Sequence, residues 1–330
     1  MDNDQLDPAV AQIRIVDRKP TPPKRELVER SDITLCALLP VYAALSWLRP
    51  EERWASLIRS YFVSIDEKGP LDTMVRGIEA SGLTPELAMS AGAAASILNA
   101  HRLESYFQYL RDYRPGGWKP DIRIDNEPAL KEIVQSGRGA VLWVGHFVYN
   151  GLPLKKGMHS AGYEVFHLSR PEHGFSTTRF GMRFLNPIRS TIEERYLAKR
   201  IIIERGAEHK AVREAHRLLK QGKMISITAG HWEGRQLAFA PIGQGFLPMS
   251  VGAPSLAHAT GAALIPIFIV REDGVFRIIA GDEIGMAKNS RDNAVREAIA
   301  KFAHQLSSYA VAYPDQWRGW KYLKRGDAAQ

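Results

Sequence analysis

Apolar positions recur at helical spacing from about residue 31 to residue 120, after a polar start containing Pro20, Pro22 and Pro23, and gather into short glycine-bounded runs thereafter. Within Pro85–Arg114, Leu87, Ala94, Ile97, Leu98, Leu103 and Phe107 return every three or four residues, as on one face of an amphipathic helix. Glu52–Ile65 has the same character. Ile33–Leu48, ITLCALLPVYAALSWL, is the most apolar stretch. A helix of that length spans about 24 Å, short of the roughly 30 Å of a hydrocarbon core, and Pro40 would kink it. Lys24, Arg25 and Arg30 precede it and Arg49 and Arg53 follow. The pattern predicts a helix that lies in, or dips into, a membrane leaflet with its cations near the headgroups. An ordinary buried helix has the same signature.

The second half reads differently. Arg114–Trp118, RPGGW, is a loop, and Asn126 is placed to cap a short helix over Glu127–Gln135. Ser136-Gly137 then leads into Ala140–Val144, a wholly apolar run that predicts a strand buried on both faces. A helix to about Ala161 follows, then a strand over Tyr163–Leu168, a helix-rich stretch over Ile192–Gln221 and a strand over Lys223–Thr228. Two more strands, Ala263–Val270 and Val275–Ala280, flank a turn at Asp273-Gly274, and a closing helix covers Arg291–Ala312. Strands alternating with helices predict an α/β fold with a largely parallel central sheet covered by helices. The expected organisation is a flexible lead-in over 1–30, a helical membrane-associating portion over 31–120 and the α/β domain over 121–330.

Composition narrows this only slightly. A chain of 330 residues with 45% hydrophobic and 24% charged residues has ample core for one large or two modest domains. The balance of 44 Lys+Arg against 36 Asp+Glu favours an anionic partner, a membrane surface or a phosphorylated or carrier-bound substrate. No zinc-finger spacing or aromatic-studded RNA motif supports nucleic acid. The single cysteine, Cys36, excludes an internal disulfide framework and points to a reducing, cytoplasmic setting.

The candidate chemistry gathers at strand ends. His146 follows Gly145 where the central strand stops, and α/β sheets open their ligand crevices at the carboxyl ends of their strands. His231 and Glu233, in GHWEG, occupy the equivalent place after Lys223–Thr228. Arg170, Arg183 and Arg235 are candidates to hold phosphate or carboxylate groups, because a guanidinium matches those anions bidentately. His159, His167, His173 and His209 lack metal-ligand spacing and read as surface or core. Ser226 and Ser250 lack a nucleophile-elbow pattern. Glycines 243, 245 and 252 do not follow dinucleotide spacing and read as turns that let an acyl chain approach the backbone.

Taken in order, several passages resemble the lysophospholipid acyltransferase superfamily, and within it the bacterial lipid A (lauroyl/myristoyl) acyltransferases. They run from the helix–Ser-Gly–strand–Gly-His-Phe passage ending at His146-Phe147, through Ser169-Arg170-Pro171 and Leu218–Lys223, to Ile265-Pro266-Ile267 and Tyr313–Trp317. The apolar Ile33–Leu48 also resembles the membrane-associating helix of that branch. The resemblance implies transfer of a fatty acyl group from acyl carrier protein or coenzyme A to a hydroxyl of a lipid or amphiphilic acceptor. It implies His146 as general base, Phe147 and Tyr149 near the substrate, no bound cofactor and no metal. The expected location is the cytoplasmic face of the inner membrane.

In that family the histidine is followed five residues later by Asp or Glu, which holds the imidazole in the right tautomer and stabilises the imidazolium. Here that position is Gly151, and the downstream acidic position falls at Gly230. Three readings stay open. The dyad is rearranged, with Glu233, or more weakly Asn150 or Tyr149, orienting the base; or the scaffold serves another acyl-transfer or hydrolytic reaction; or the chain binds lipid or a partner without chemistry.

Overall fold

The computed structural model describes residues 8–18, 25–61, 68–230, 235–286 and 290–325. At its centre lies a seven-stranded sheet. Its strands are β2 (Ile122–Asp125), β3 (Ala140–Val144), β4 (Val165–Ser169), β5 (Lys199–Ile202), β6 (Met224–Thr228), β9 (Ala263–Glu272) and β10 (Val275–Ala280), in the spatial order β2-β10-β9-β3-β6-β4-β5. Five of them, β9 through β5, run parallel. The β9–β10 pair is a hairpin, which reverses β10, and β2 runs parallel to β10. The sheet is therefore mostly parallel rather than uniformly so.

Every residue of β3 is buried, as its unbroken apolar run requires. Its Trp143 stacks on Phe302 of α12 (Arg291–Ala312) at 4.0 Å between ring centroids. Other helices covering the sheet include α6 (Glu127–Ser136), α7 (Leu152–Ser160), α10 (Glu208–Lys220) and α11 (Gly252–Thr260). Asn126 precedes α6 in a left-handed conformation (φ 58°). It makes no side-chain cap; its Nδ2 donates to the Ala280 carbonyl across the sheet edge instead. Helix α9 (Asn186–Glu194) and strand β5 divide the stretch expected to be helix-rich.

A second sheet had no counterpart in the sequence reading. It has four strands in the order β1-β7-β8-β11: β1 (Arg14–Asp17), β7 (Gln236–Ile242), β8 (Gly245–Ser250) and β11 (Lys324–Arg325). Within residues 1–30, read as a flexible lead-in, α1 (Pro8–Ala11) and β1 are ordered, with Ile13 buried between them. Gly243, read as a turn that lets an acyl chain approach, is a turn, the tight one of the β7–β8 hairpin. Its φ is +57°, and a Cβ there would lie 2.2 Å from the Ser81 carbonyl oxygen.

The N-terminal helices pack on one another and on the sheet's edge: α2 (Arg30–Leu48), α3 (Trp54–Tyr61), α4 (Lys68–Ala80) and α5 (Ala91–Asp112), the last capped by Ser90 accepting from the Ala93 N–H. Helix α2 buries Leu35 and Tyr42, with Tyr42 tilted against Phe107 of α5 at 5.3 Å. Its opposite stripe, Ile33, Val41 and Leu48, stays 45–79% exposed. Among the described residues, this is the one helix long and apolar enough to cross a membrane. Just before it, the backbone N–H groups of Arg179 and Phe180 donate to the carbonyls of Glu26 and Leu27. This ties the exposed Leu27 and Val28 to short helix α8 (Arg179–Phe184), whose Phe184 is also exposed.

Candidate active site

His146 stands where the sequence places it, just beyond the carboxyl end of β3. Gly145 donates to the Ile267 carbonyl on β9, and a Cβ on it would lie 2.8 Å from the Phe268 ring, so any larger residue here would have to displace that ring. His146 is 7% exposed. What covers it is the C-terminal 3-10 turn, Arg318–Tyr322. The Arg318 N–H donates to the His146 carbonyl at 2.9 Å, and the Tyr322 ring lies over the imidazole at 6.0 Å and 15°. This turn is seated by a close approach: a Cβ on Gly77 of α4 would lie 1.9 Å from the Trp320 carbonyl oxygen.

Five residues on from His146, the structure explains the glycine at position 151. A Cβ there would lie 2.5 Å from the Tyr109 hydroxyl, 3.2 Å from Arg189 Nη2 and 3.4 Å from Glu193 Oε1. The space beside the position where the family resemblance expects a carboxylate thus holds one from another element, Glu193 of α9. Glu193 is 1% exposed and accepts hydrogen bonds from the Tyr109 hydroxyl, Lys155 Nζ, His173 Nε2 (2.5 Å) and Arg189 Nε (2.8 Å). Burial would raise its pKa, but Arg189, His173 and Lys155 outweigh it and hold the carboxyl well below the usual range. Burial pushes Lys155 down to about 8 and His173 down to about 4, against the pull of the same carboxylate.

The loop carrying His173 is held by Asn186, whose Oδ1 accepts from the N–H groups of Phe175 (2.8 Å) and Ser176 (2.9 Å). Phe175 in turn packs on Tyr106 of α5 at 4.6 Å. Beneath lies a small cavity lined by Asn150, Lys155, His167, Ser226 and Thr228 among apolar residues, with about 20 Å³ of room, enough for a single water molecule. Here His167 Nδ1 pairs with Ser226 Oγ at 2.9 Å.

The remaining residues singled out by sequence disperse. His231 and Glu233 lie outside the described residues. Phe147 is fully buried against Phe268 and bridges Trp317, and Tyr149 is fully buried against Phe276 and His101 beneath Arg271. Both are core residues, and neither presents a surface to a substrate. Asn150 faces the small cavity. Gly230 contributes its carbonyl, which accepts from the Ser250 N–H. Arg170 holds the β4–β5 edge through its carbonyl, which accepts from Arg200 Nη2. Arg183 is exposed on α8, 5.7 Å from the Phe184 ring, and Arg235 edges a shallow cleft with Asp17 and Arg291. Among the described residues no three His, Cys, Asp or Glu side chains are placed to hold a metal.

Two groups escaped the sequence reading: the Glu193 cluster and the cations of the C-terminal turn. Arg189 and Glu193 have the i, i+4 spacing of a helix ion pair, but such pairs are ordinarily exposed, and nothing in the spacing marks this one as buried. No family model matches the chain, and no curated protein matches its sequence.

Proposed function

We propose that the chain is an acyltransferase of the lysophospholipid acyltransferase type, with His146 as general base. It moves a fatty acyl group from a carrier thioester to a hydroxyl on an amphiphilic acceptor at a membrane surface. The observation that carries this reading is the placement of His146 at the carboxyl end of β3, the middle strand of the seven-stranded sheet, which is flanked on both sides by parallel strands. There it lies next to a cationic turn, in a chain whose helix α2 leaves an apolar stripe exposed. The imidazole takes the acceptor's hydroxyl proton as that oxygen attacks the thioester carbonyl. The carbon–sulfur bond then breaks, and the departing thiolate takes the proton back. The products are an ester and a free thiol, and the donor can be an acyl carrier protein or a coenzyme A thioester. Membrane docking rests on Ile33, Val41 and Leu48 with Leu27, Val28 and Phe184, flanked by exposed Arg30, Arg49 and Arg53.

A second reading, a lipid-binding homologue without chemistry, is favoured by one observation. The place of the expected carboxylate beside His146 is closed by Tyr109, Arg189 and Glu193, groups already bonded to one another. One experiment separates the two. The full-length chain is incubated with long-chain acyl thioesters and anionic vesicles made from a total lipid extract. Released thiol and acylated products are measured, and sedimentation of the vesicles reports docking. The enzyme reading expects transfer that falls by at least about 100-fold in His146→Ala. It expects docking that weakens in Ile33→Ser/Leu48→Ser without loss of folding. Transfer by His146→Ala equal to wild type removes His146 from the mechanism. Docking with no transfer from either donor leaves the binding reading.

A further inference from the structure

Buried charges in folded proteins are ordinarily paired, because an isolated ion loses its hydration without recompense. Arg318 and Lys321 depart from that rule. Both are half-buried on the C-terminal turn, and no carboxylate among the described residues pairs with either. In a 3-10 turn, side chains three residues apart eclipse, so the guanidinium and the ammonium project from one face. The aromatic neighbour on that face is Tyr322, with Lys321 Nζ 4.7 Å from its ring centre, and Tyr322 is the ring stacked over His146.

Their surroundings add positive charge. Burial lowers Arg318 to about 10, and the charges of Arg189 and Arg102 bear on it in the same sense; burial, Arg318 and Arg102 lower Lys321 to about 8. Arg102 comes from α5, where its Nε donates to Asn99 Oδ1 at 3.0 Å. Arg189 is committed to Glu193. Three elements, α5, α9 and the C-terminal turn, thus direct cations toward one place, and the described residues supply no anion to Arg318 or Lys321.

We propose that Arg318 and Lys321, assisted by Arg102, form a binding site for a phosphate group of a substrate, held immediately beside His146. Two adjacent cations that no described carboxylate answers suit a phosphate group, monoester or diester, whose tetrahedral oxygens accept from both at once, with the guanidinium able to bind two of them. The site differs from Arg183, on α8 beside Phe184, and from Arg235, at the cleft with Asp17 and Arg291. The inference rests on the acyl-transfer reading only for which molecule brings the phosphate. A donor brings it on a phosphopantetheine arm, and an acceptor brings it on its headgroup.

The test is binding without turnover, on the full-length chain in neutral detergent at low ionic strength. Inorganic phosphate, pantetheine 4′-phosphate and glycerol 3-phosphate are titrated by calorimetry, with thermal melting as the second readout. Phosphate is expected to bind and to raise the melting temperature, since a ligand that binds only the folded state stabilises it. Arg318→Gln/Lys321→Gln is expected to bind at least tenfold more weakly, while Arg318→Lys/Lys321→Arg retains binding. In phosphate-free buffer the charge-removing variant is expected to melt no lower than wild type, because half-buried charges that no described carboxylate pairs with are removed. Tighter binding of pantetheine 4′-phosphate assigns the site to the donor, and tighter binding of glycerol 3-phosphate assigns it to the acceptor. Unchanged phosphate affinity in the Gln variant overturns the proposal, as does absence of phosphate binding to the wild-type chain. Neither result depends on acyl transfer, so transfer without phosphate binding removes this site alone, and phosphate binding without transfer removes the enzyme reading alone.

Discussion

Two charged clusters flank the His146–Gly151 segment, and they are built in opposite ways. Around Glu193, one carboxylate receives four hydrogen bonds, and each neighbouring cation has the same anion to answer it. On the C-terminal turn, Arg318 and Lys321 face further cations, and among the described residues no carboxylate pairs with either. A satisfied buried cluster fixes the packing of α5, α7 and α9. An unsatisfied one stays in a fold when something outside the chain completes it. Burial is nearly complete around Glu193 and partial on the turn; what separates the two places is whether the described residues supply a partner to each charge.

The sharpest way to break this contrast is to open the satisfied cluster. Glu193→Gln leaves Lys155 and Arg189 without their counter-ion in a buried place, and stability should fall by about 3–5 kcal/mol in urea denaturation. A loss under 1 kcal/mol would mean that water reaches the cluster and solvates its charges.

The next effect concerns position 151. Restoring the acidic residue that the family resemblance expects, as Gly151→Glu, forces a side chain against the Tyr109 hydroxyl and sets a second carboxylate beside Glu193. Stability should fall by about 1–3 kcal/mol, as for other overpacked interiors, and acyl transfer should not increase. A rate gain in that variant would show that the place is an empty socket rather than a filled one.

A third effect is in pH dependence, with an acid window from His173 and Glu193 and an alkaline window shared by Lys155 and Lys321. His173, with its folded pKa lowered to about 4, is protonated more readily in the unfolded chain between pH 6.5 and 4, so stability declines as pH falls through that range. Glu193, also depressed, adds a further loss below its ordinary value of 4.5. On the alkaline side, Lys155 and Lys321 are lowered from 10.5 to about 8. The unfolded chain then holds more protons between pH 8 and 10.5, so stability climbs with pH there. Urea unfolding across pH 4–10 should show both slopes, with the alkaline one shallower in Lys321→Gln and unchanged in His173→Asn. An alkaline slope identical in Lys321→Gln would place that lysine in solvent.

Local pattern carried much of this fold. The run Ala140–Val144 is a buried strand because no polar residue interrupts it, and Arg291–Ala312 is the closing helix within the bounds that its periodicity sets. His146 falls at a strand end because that strand stops at a glycine, and the stretch before residue 49 is an apolar helix because its composition permits little else. These properties depend on residues near one another in the chain, so the sequence by itself determined them. Tertiary structure alone decided the second sheet, whose strands come from residues 14–17, 236–250 and 324–325. It alone decided that Glu193, 42 positions beyond Gly151, stands beside it. It also brought a C-terminal turn over His146, 172 positions from Arg318. Whether a charge is answered depends on which distant groups arrive beside it, and periodicity, which reports only the face a residue occupies, holds no record of that.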